Sequence, residues 1–279
     1  MLLAMDVGGT NIRYHLVDTI HNKTILSETK NTSTTPLIPL IEELISQYSI
    51  KKIAIAYAGQ VNSGTILSSP NIQVDEPNIA DYFAKNFNIP LAIENDLKSA
   101  ALAEYEYWGC SGTMVVASIG TGFGAAIVED GKLLRGSHNL AGEIGHIPFR
   151  YSEIPCGCGN HYCIEASASG KALERWIEYY SLPTSNSPLT TLKEANNPQA
   201  DTILQNFHDG LIYAIATTIS LLNPDIIVLG GGVIHKNRYL LEMIESQIDR
   251  YALPASTKET KILLSELKDA PLRGSLLLH

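Results

Sequence analysis

One local plan occurs twice in this chain. An apolar strand, Leu2 to Val7, runs into Gly8-Gly9-Thr10 and then into a second strand pattern, Ile12 to Asp18. Met114 to Ile119 likewise runs into Gly120-Thr121-Gly122-Phe123-Gly124 and on into Ala125 to Glu129. Each reads as two strands joined by a tight glycine turn. A repeat about 110 residues on suggests two lobes of related topology, and 279 residues suffice for two domains with separate cores. A third apolar strand, Asp225 to Leu229, ends in Gly230-Gly231-Gly232. Adjacent glycines beside a threonine let backbone N–H groups and a hydroxyl approach a phosphate. The sequence GGT alone equally describes a plain β-turn. Asp6, at the end of the first strand, adds a carboxylate that could hold Mg²⁺ through water beside such a cradle.

Strand and helix patterns alternate between these turns, which is the signature of an α/β protein. After a polar loop rich in Thr and Ser, residues 36–48 carry Leu37, Leu40, Ile41, Leu44 and Ile45 at helical spacing. Lys52 to Ala58 is a buried-type strand closed by Gly59, and Ser68-Ser69-Pro70-Asn71 is a loop. A helix over Ile79 to Phe87 precedes the strand Leu91-Ala92-Ile93, which ends at Glu94-Asn95-Asp96 before a helix from Leu97 to Tyr107. Ligands of open α/β sheets gather at the carboxyl ends of strands, so Asp96 is a candidate catalytic group. Asn and Asp are also favoured helix N-caps, and one position can serve both ends. Further helices are expected over Ala166 to Tyr180, 200–222, Tyr239 to Tyr251 and Pro271 to Leu278, with a short strand at Ile262 to Leu264.

Three of the four cysteines lie in one stretch, AGEIGHIPFRYSEIPCGCGNHYCIEA, from Ala141 to Ala166. Cys156, Cys158 and Cys163 are spaced C-x-C-x4-C, with His146 upstream. Three thiolates and one imidazole form a closed tetrahedral set, the pattern of a structural Zn²⁺ site. The alternative is three ordinary thiols beside an unrelated histidine. The fourth cysteine, Cys110, reads as a small interior hydrophobe rather than a nucleophile.

The composition narrows the function classes. A net charge of −9 argues against a sequence-independent nucleic-acid binder. It leaves room for a phosphorylated small molecule, because backbone amides hold phosphate without side-chain charge. No apolar run approaches the roughly 18 residues that span a bilayer, and the apolar start meets Asp6 at once, unlike a signal peptide. The expectation is a cytoplasmic protein with neither membrane nor nucleic acid as partner, its thiols reduced and free for metal.

Taken in order, DVGGTN, ENDLKSAALAE, SIGTGFGAAIVEDGKLL, AGEIGH, CGCGNHYCIEASASG and DIIVLGGGV resemble the ROK family of bacterial sugar kinases and repressors over nearly the whole chain. The resemblance implies a two-lobed actin-like ATPase fold, a duplicated ribonuclease H-like plan with a cleft. The lobes would be residues 1–108, with the C-terminal helix at about 271–279 packing back on them, and 109–270 carrying the zinc loop. It implies an ATP-dependent hexose kinase acting on the 6-hydroxyl, glucose first, with N-acetylmannosamine, N-acetylglucosamine or fructose as alternative substrates. A sugar-responsive repressor is the remote alternative; its helix-turn-helix would precede the first glycine turn, where the strand already begins at Leu2.

By the same resemblance, Asp6, Gly8, Gly9 and Thr10 form the first phosphate turn with its Mg²⁺-associated carboxylate, and Gly120, Thr121 and Gly122 the second. Gly230, Gly231 and Gly232 lie against the adenosine. Asp96 is the catalytic base, and Gly59, Asn71, Asn95, Glu143, His146 and Glu165 contact the sugar. His146, Cys156, Cys158 and Cys163 bind zinc. A homodimer is implied. Leu97-Lys98, Tyr162 and Ile72-Gln73 depart from the family's usual residues.

Overall fold

A computed structural model describes residues 1–69 and 72–278. The chain divides into two compact units, one of residues 1–109, 135–139 and 267–279, the other of residues 110–134 and 140–266.

The first unit is built on β1 (Leu2–Val7), β2 (Asn11–Asp18), β3 (Lys23–Asn31), α1 (Leu37–Gln47), β4 (Lys52–Tyr57), β5 (Gln60–Asn62), β6 (Thr65–Ser68), α2 (Ile79–Phe87), β7 (Leu91–Asn95) and α3 (Asp96–Tyr107). Its sheet has the order β3-β2-β1-β4-β7. The first three strands are antiparallel and β4 and β7 run parallel to β1. Central β1 is buried at every position, Asp6 included, and its apolar run Leu2 to Met5 suits a strand covered on both faces. Helix α1 buries Leu40, Ile41 and Leu44, and α2 buries Ile79 and Phe83, in one core with Leu3, Met5, Ile53 and Ile55.

Strand β3 lies where the sequence reads as a polar loop. It is an edge strand with no fully buried residue, held by its backbone ladder to β2, so it needs no apolar alternation.

The second unit repeats the plan. Its elements are β8 (Thr113–Ile119), β9 (Phe123–Glu129), β10 (Lys132–Leu133), α4 (Gly170–Tyr179), α5 (Pro188–Glu194), α6 (Pro198–Leu222), β11 (Ile226–Gly230), α7 (Gly232–Lys236), α8 (Tyr239–Gln247), α9 (Pro254–Glu259) and β12 (Lys261–Leu264). Its sheet order, β10-β9-β8-β11-β12, has the same antiparallel and parallel neighbours as the first. Helix α6 starts at Pro198, with the Asn197 side chain capping the N–H groups of Gln199 and Ala200. It buries Phe207, Leu211, Ile215 and Ile219, one i, i+4 stripe, and ends at Asn223 in the left-handed region.

The chain then returns to the first unit with α10 (Ala270–Ser275). Helix α3 presents small residues, Ser99, Ala100, Ala101 and Ala103, to the interior. Gly274 of α10 sits so close that a Cβ there would lie 1.6 Å from the Ser99 carbonyl oxygen.

Candidate active site

In the first unit Asp6 is the penultimate residue of β1, and the hairpin register sets Arg13 directly opposite it. One Arg13 nitrogen donates to Asp6 Oδ2 at 3.2 Å and lies 3.5 Å from Asp269 Oδ1. Burial pushes the Asp6 carboxyl up to about 6; the Arg13 guanidinium pulls it down, and the Asp96 and Asp269 carboxylates push it further up. More carboxylates than cations converge here, so the donor set fits a divalent cation such as Mg²⁺. The turn closes with Gly8 N–H donating to Asn11 O at 2.9 Å. Thr32, which the sequence reading passes over, ties the turn's carbonyls: its Oγ1 donates to Gly8 O at 2.7 Å and its N–H to Thr10 O at 2.9 Å. Gly9 and Thr10 are exposed.

Asp96 is the first residue of α3, at the carboxyl end of β7. Burial pushes its carboxyl above the ordinary range, while the Leu97 N–H (2.8 Å) and the Asn95 amide (3.1 Å) pull it back. Asn95 caps α3 by accepting from the N–H groups of Leu97 and Lys98 and donates to Asp96 Oδ1 and Gly59 O. Its amide is thereby fully engaged, and a sugar hydroxyl would have to replace one of these partners. Gly59 is enclosed: a Cβ would lie 2.4 Å from Ser68 O. Asn71 falls outside the described residues.

In the second unit the β8–β9 turn is held from two sides. The N–H groups of Gly170 and Lys171, opening α4, donate to Gly120 O (2.8 Å) and Thr121 O (3.0 Å). Glu165 Oε2 accepts the Phe123 N–H at 2.8 Å, and a Cβ on Gly122 would lie 2.6 Å from that oxygen. Gly231 has φ +89°, its ideal Cβ position 2.4 Å from Ile119 O, so it packs against the end of β8. A cavity of about 480 Å³ is lined by Gly120, Thr121, Gly170, Gly232, Ser185, Asn186, Pro188, Lys236 and Asn237, among others. Of the three glycines expected beside an adenosine, only Gly232 borders it.

The segment AGEIGH lies on β9 through two glycines. Cβ atoms at Gly142 and Gly145 would meet Ala125 O at 2.2 Å and Phe123 O at 2.0 Å. This close backbone approach leaves Glu143 and His146 exposed, with His146 Nε2 3.8 Å from Glu143 Oε2.

The ring's other nitrogen faces sulfur. The ligand atoms of His146, Cys156, Cys158 and Cys163 all lie within 4.8 Å of one another. A tetrahedral zinc site has ligand–ligand edges of about 3.3 to 3.8 Å, from metal–ligand bonds of about 2.0 to 2.3 Å. The Cys156 Sγ to His146 Nδ1 distance is 3.6 Å and Cys158 Sγ to Cys163 Sγ is 3.5 Å, so the four residues fit Zn²⁺. Gly159, at φ +91°, makes the knuckle turn in which its N–H donates to Cys156 O at 2.9 Å. Tyr162 leaves the cluster intact: its ring is exposed, set edge-on to Tyr151, while its carbonyl accepts the Phe149 N–H at 2.7 Å. Glu165 joins the metal cluster to the phosphate-type turn, its Oε1 3.2 Å from Cys156 Sγ and its Oε2 on Phe123.

A five-stranded β-sheet plan built twice, each copy closing a glycine turn, defines the actin-like ATPase class of folds. Residues 2–279 match the profile of the ROK family, and the chain belongs to that family. It is 30% identical over 266 residues to an N-acetylmannosamine kinase of Vibrio cholerae, covering 91% of this chain and 92% of that one. It is 28% identical to a xylose repressor of Caldicellulosiruptor bescii, covering 84% of this chain but only 65% of the repressor. Among solved structures, a ROK hexokinase from Thermus thermophilus superposes with a TM-score of 0.83 at 25% identity, covering 99% of this chain and 97% of that one.

Proposed function

We propose that the protein is an ATP-dependent kinase that transfers the γ-phosphate to the 6-hydroxyl of a hexose, glucose being the first candidate. The observation that carries this reading is Asp96, a carboxylate raised by burial and fixed at the junction of β7 and α3. A raised carboxyl is a better proton acceptor than an ordinary aspartate, yet still far weaker than an alkoxide. Asp96 therefore orients the hydroxyl and takes its proton late, after most of the P–O bond to the leaving group has broken.

The glycine turns suit the phosphate chain, because backbone N–H groups supply fixed donors that need no rearrangement during transfer. Asp6 would hold Mg²⁺, which when bound neutralises phosphate charge. The 480 Å³ cavity has room for a nucleoside, with Gly232 and Lys236 in its wall. Glu143, His146 and Glu165, with Gly59, Asn71 and Asn95, are assigned to the sugar, since carboxylates can each accept more than one hydroxyl. Zn²⁺ would be held by His146, Cys156, Cys158 and Cys163, and supplies cross-linking rather than chemistry. A homodimer is part of this proposal.

The similarity to an N-acetylmannosamine kinase supports a second substrate, and Glu143 in the AGEIGH segment favours the first. Measuring ADP release with ATP and a panel of glucose, mannose, fructose, N-acetylglucosamine and N-acetylmannosamine ranks them by kcat/KM. Asp96→Asn is expected to lower kcat by at least about 100-fold with little change in sugar affinity. Near-normal turnover by that variant would remove Asp96 from the mechanism, and absence of ADP release with every sugar would remove the kinase.

A further inference from the structure

Lys98 is a lysine only 5% exposed, on the turn of α3 that begins with Asp96. Its Nζ donates to both the backbone oxygen and the side-chain oxygen (2.8 Å) of Asn139. Asn139 is a non-glycine residue at φ +58°, a conformation that its short amide tolerates but does not by itself secure. That amide continues the chain of contacts, donating to Val61 O and to Glu94 Oε1, each at 2.8 Å. Glu94, 3% exposed, also accepts from Arg135 Nε and from the Asn95 N–H, each at 2.9 Å. Four side chains thus close one network inside the first unit, at the corner that carries Asn95 and Asp96. The network ties residues 135–139 to Val61, Glu94 and the Asn95 backbone of the same unit.

Buried polar networks of this sort are stiff when every member is satisfied and costly when one is removed. Nothing in the proposed chemistry uses Lys98, and a buried ammonium needs a reason to be there. We propose that Lys98 is a positioning residue for the sugar: by clamping Asn139 it holds Glu94, whose carboxylate accepts the Asn95 N–H, and so fixes the corner that presents Asn95 and Asp96. The role rests on the sugar-kinase reading above, and it makes one lysine specific to the sugar half of the reaction.

The test is steady-state kinetics on Lys98→Met, Asn139→Gly and the double variant, with wild type alongside. Methionine keeps the volume of the stem without the ammonium, and glycine keeps the left-handed backbone without the amide. Each single variant is expected to raise the sugar KM about tenfold or more while the ATP KM stays within about twofold, as loss of a buried charged partner implies. The double variant should be no worse than the poorer single variant, since both remove one clamp, and Lys98→Arg should recover part of the loss. Wild-type activity with an unchanged sugar KM in Asn139→Gly overturns the proposal, as does an equal rise in both KM values, which marks general loosening. Lys98→Met too unstable to purify leaves Asn139→Gly to decide. A wild type inactive on every sugar instead defeats the kinase reading, so the two failures are separable.

Discussion

Alanine at Gly145 would set a Cβ 2.0 Å from the carbonyl oxygen of Phe123 and 3.0 Å from its carbon. Both obstacles are backbone atoms, and Phe123 is locked into the β8–β9 ladder opposite Ile119. No rotamer change can relieve the clash, so the loop must lift by about 1 Å or more to restore ordinary contact. The part that lifts is the one bearing Glu143 and His146, a proposed sugar ligand and a zinc ligand. Misplacement of a substrate-positioning group by about 1 Å costs on the order of 100-fold in kcat/KM. Overpacking against backbone costs about 1–3 kcal/mol of stability, a melting shift of a few degrees for a protein of this size. The control is Gly157, in the same metal loop, where a Cβ would meet nothing within 4 Å. Gly157→Ala should match wild type in melting temperature, zinc content and kcat/KM. Normal kinetics in Gly145→Ala, or equal damage from both variants, would refute the reasoning that close backbone approach fixes the sugar loop.

Cys158→Ala should drop the zinc content, measured by plasma mass spectrometry, from about one ion per chain to well under half, because three ligands no longer close the tetrahedron. The same variant, or wild type stripped by a strong chelator, should lose sugar affinity along with stability; wild-type protein purified without zinc would contradict the assignment. Asp6→Asn is expected to raise the melting temperature near pH 7 while abolishing turnover. The Asp6 carboxyl goes from 3.8 to about 6 on folding, so its favourable contribution is complete below about 3.8 and is lost as pH rises through about 6. Neutral asparagine avoids that loss of up to about 3 kcal/mol, a figure already net of the Arg13 attraction, so its advantage should shrink between pH 7 and pH 5. An advantage that is independent of pH would show that Asp6 burial is not its source.

Where sequence carries a periodic or spaced signal, structure followed it. The two glycine turns, the strands beside them and the Cys3His set are dictated by local runs that leave the backbone few options. β3 escaped because an edge strand satisfies its backbone on one side and needs no apolar face. Arg13 was within reach: pairing Val7 with Ile12 across the turn sets Arg13 opposite Asp6 by register arithmetic. Thr32, Glu165's bond to Phe123, and the Lys98–Asn139 clamp were not, since each joins residues distant in sequence and no local pattern announces the partner. Asn95 was legible as a cap and as a site residue, and its fully engaged amide gives the capping role the stronger structural claim.

The last helix carries a consequence for the order of events on the ribosome. α10 seats Gly274 on the backbone of α3 at Ser99, and it belongs to the same compact unit as residues 1–109. That unit cannot be completed until residues 267–279 have been made, although its first 109 residues emerge earliest. The second unit, by contrast, has all its strands and helices between residues 110 and 266 and can close its sheet first. A chain stalled just short of α10 would therefore carry one finished half and one half with the Ala-rich face of α3 uncovered, the species on which a protease or a chaperone would act.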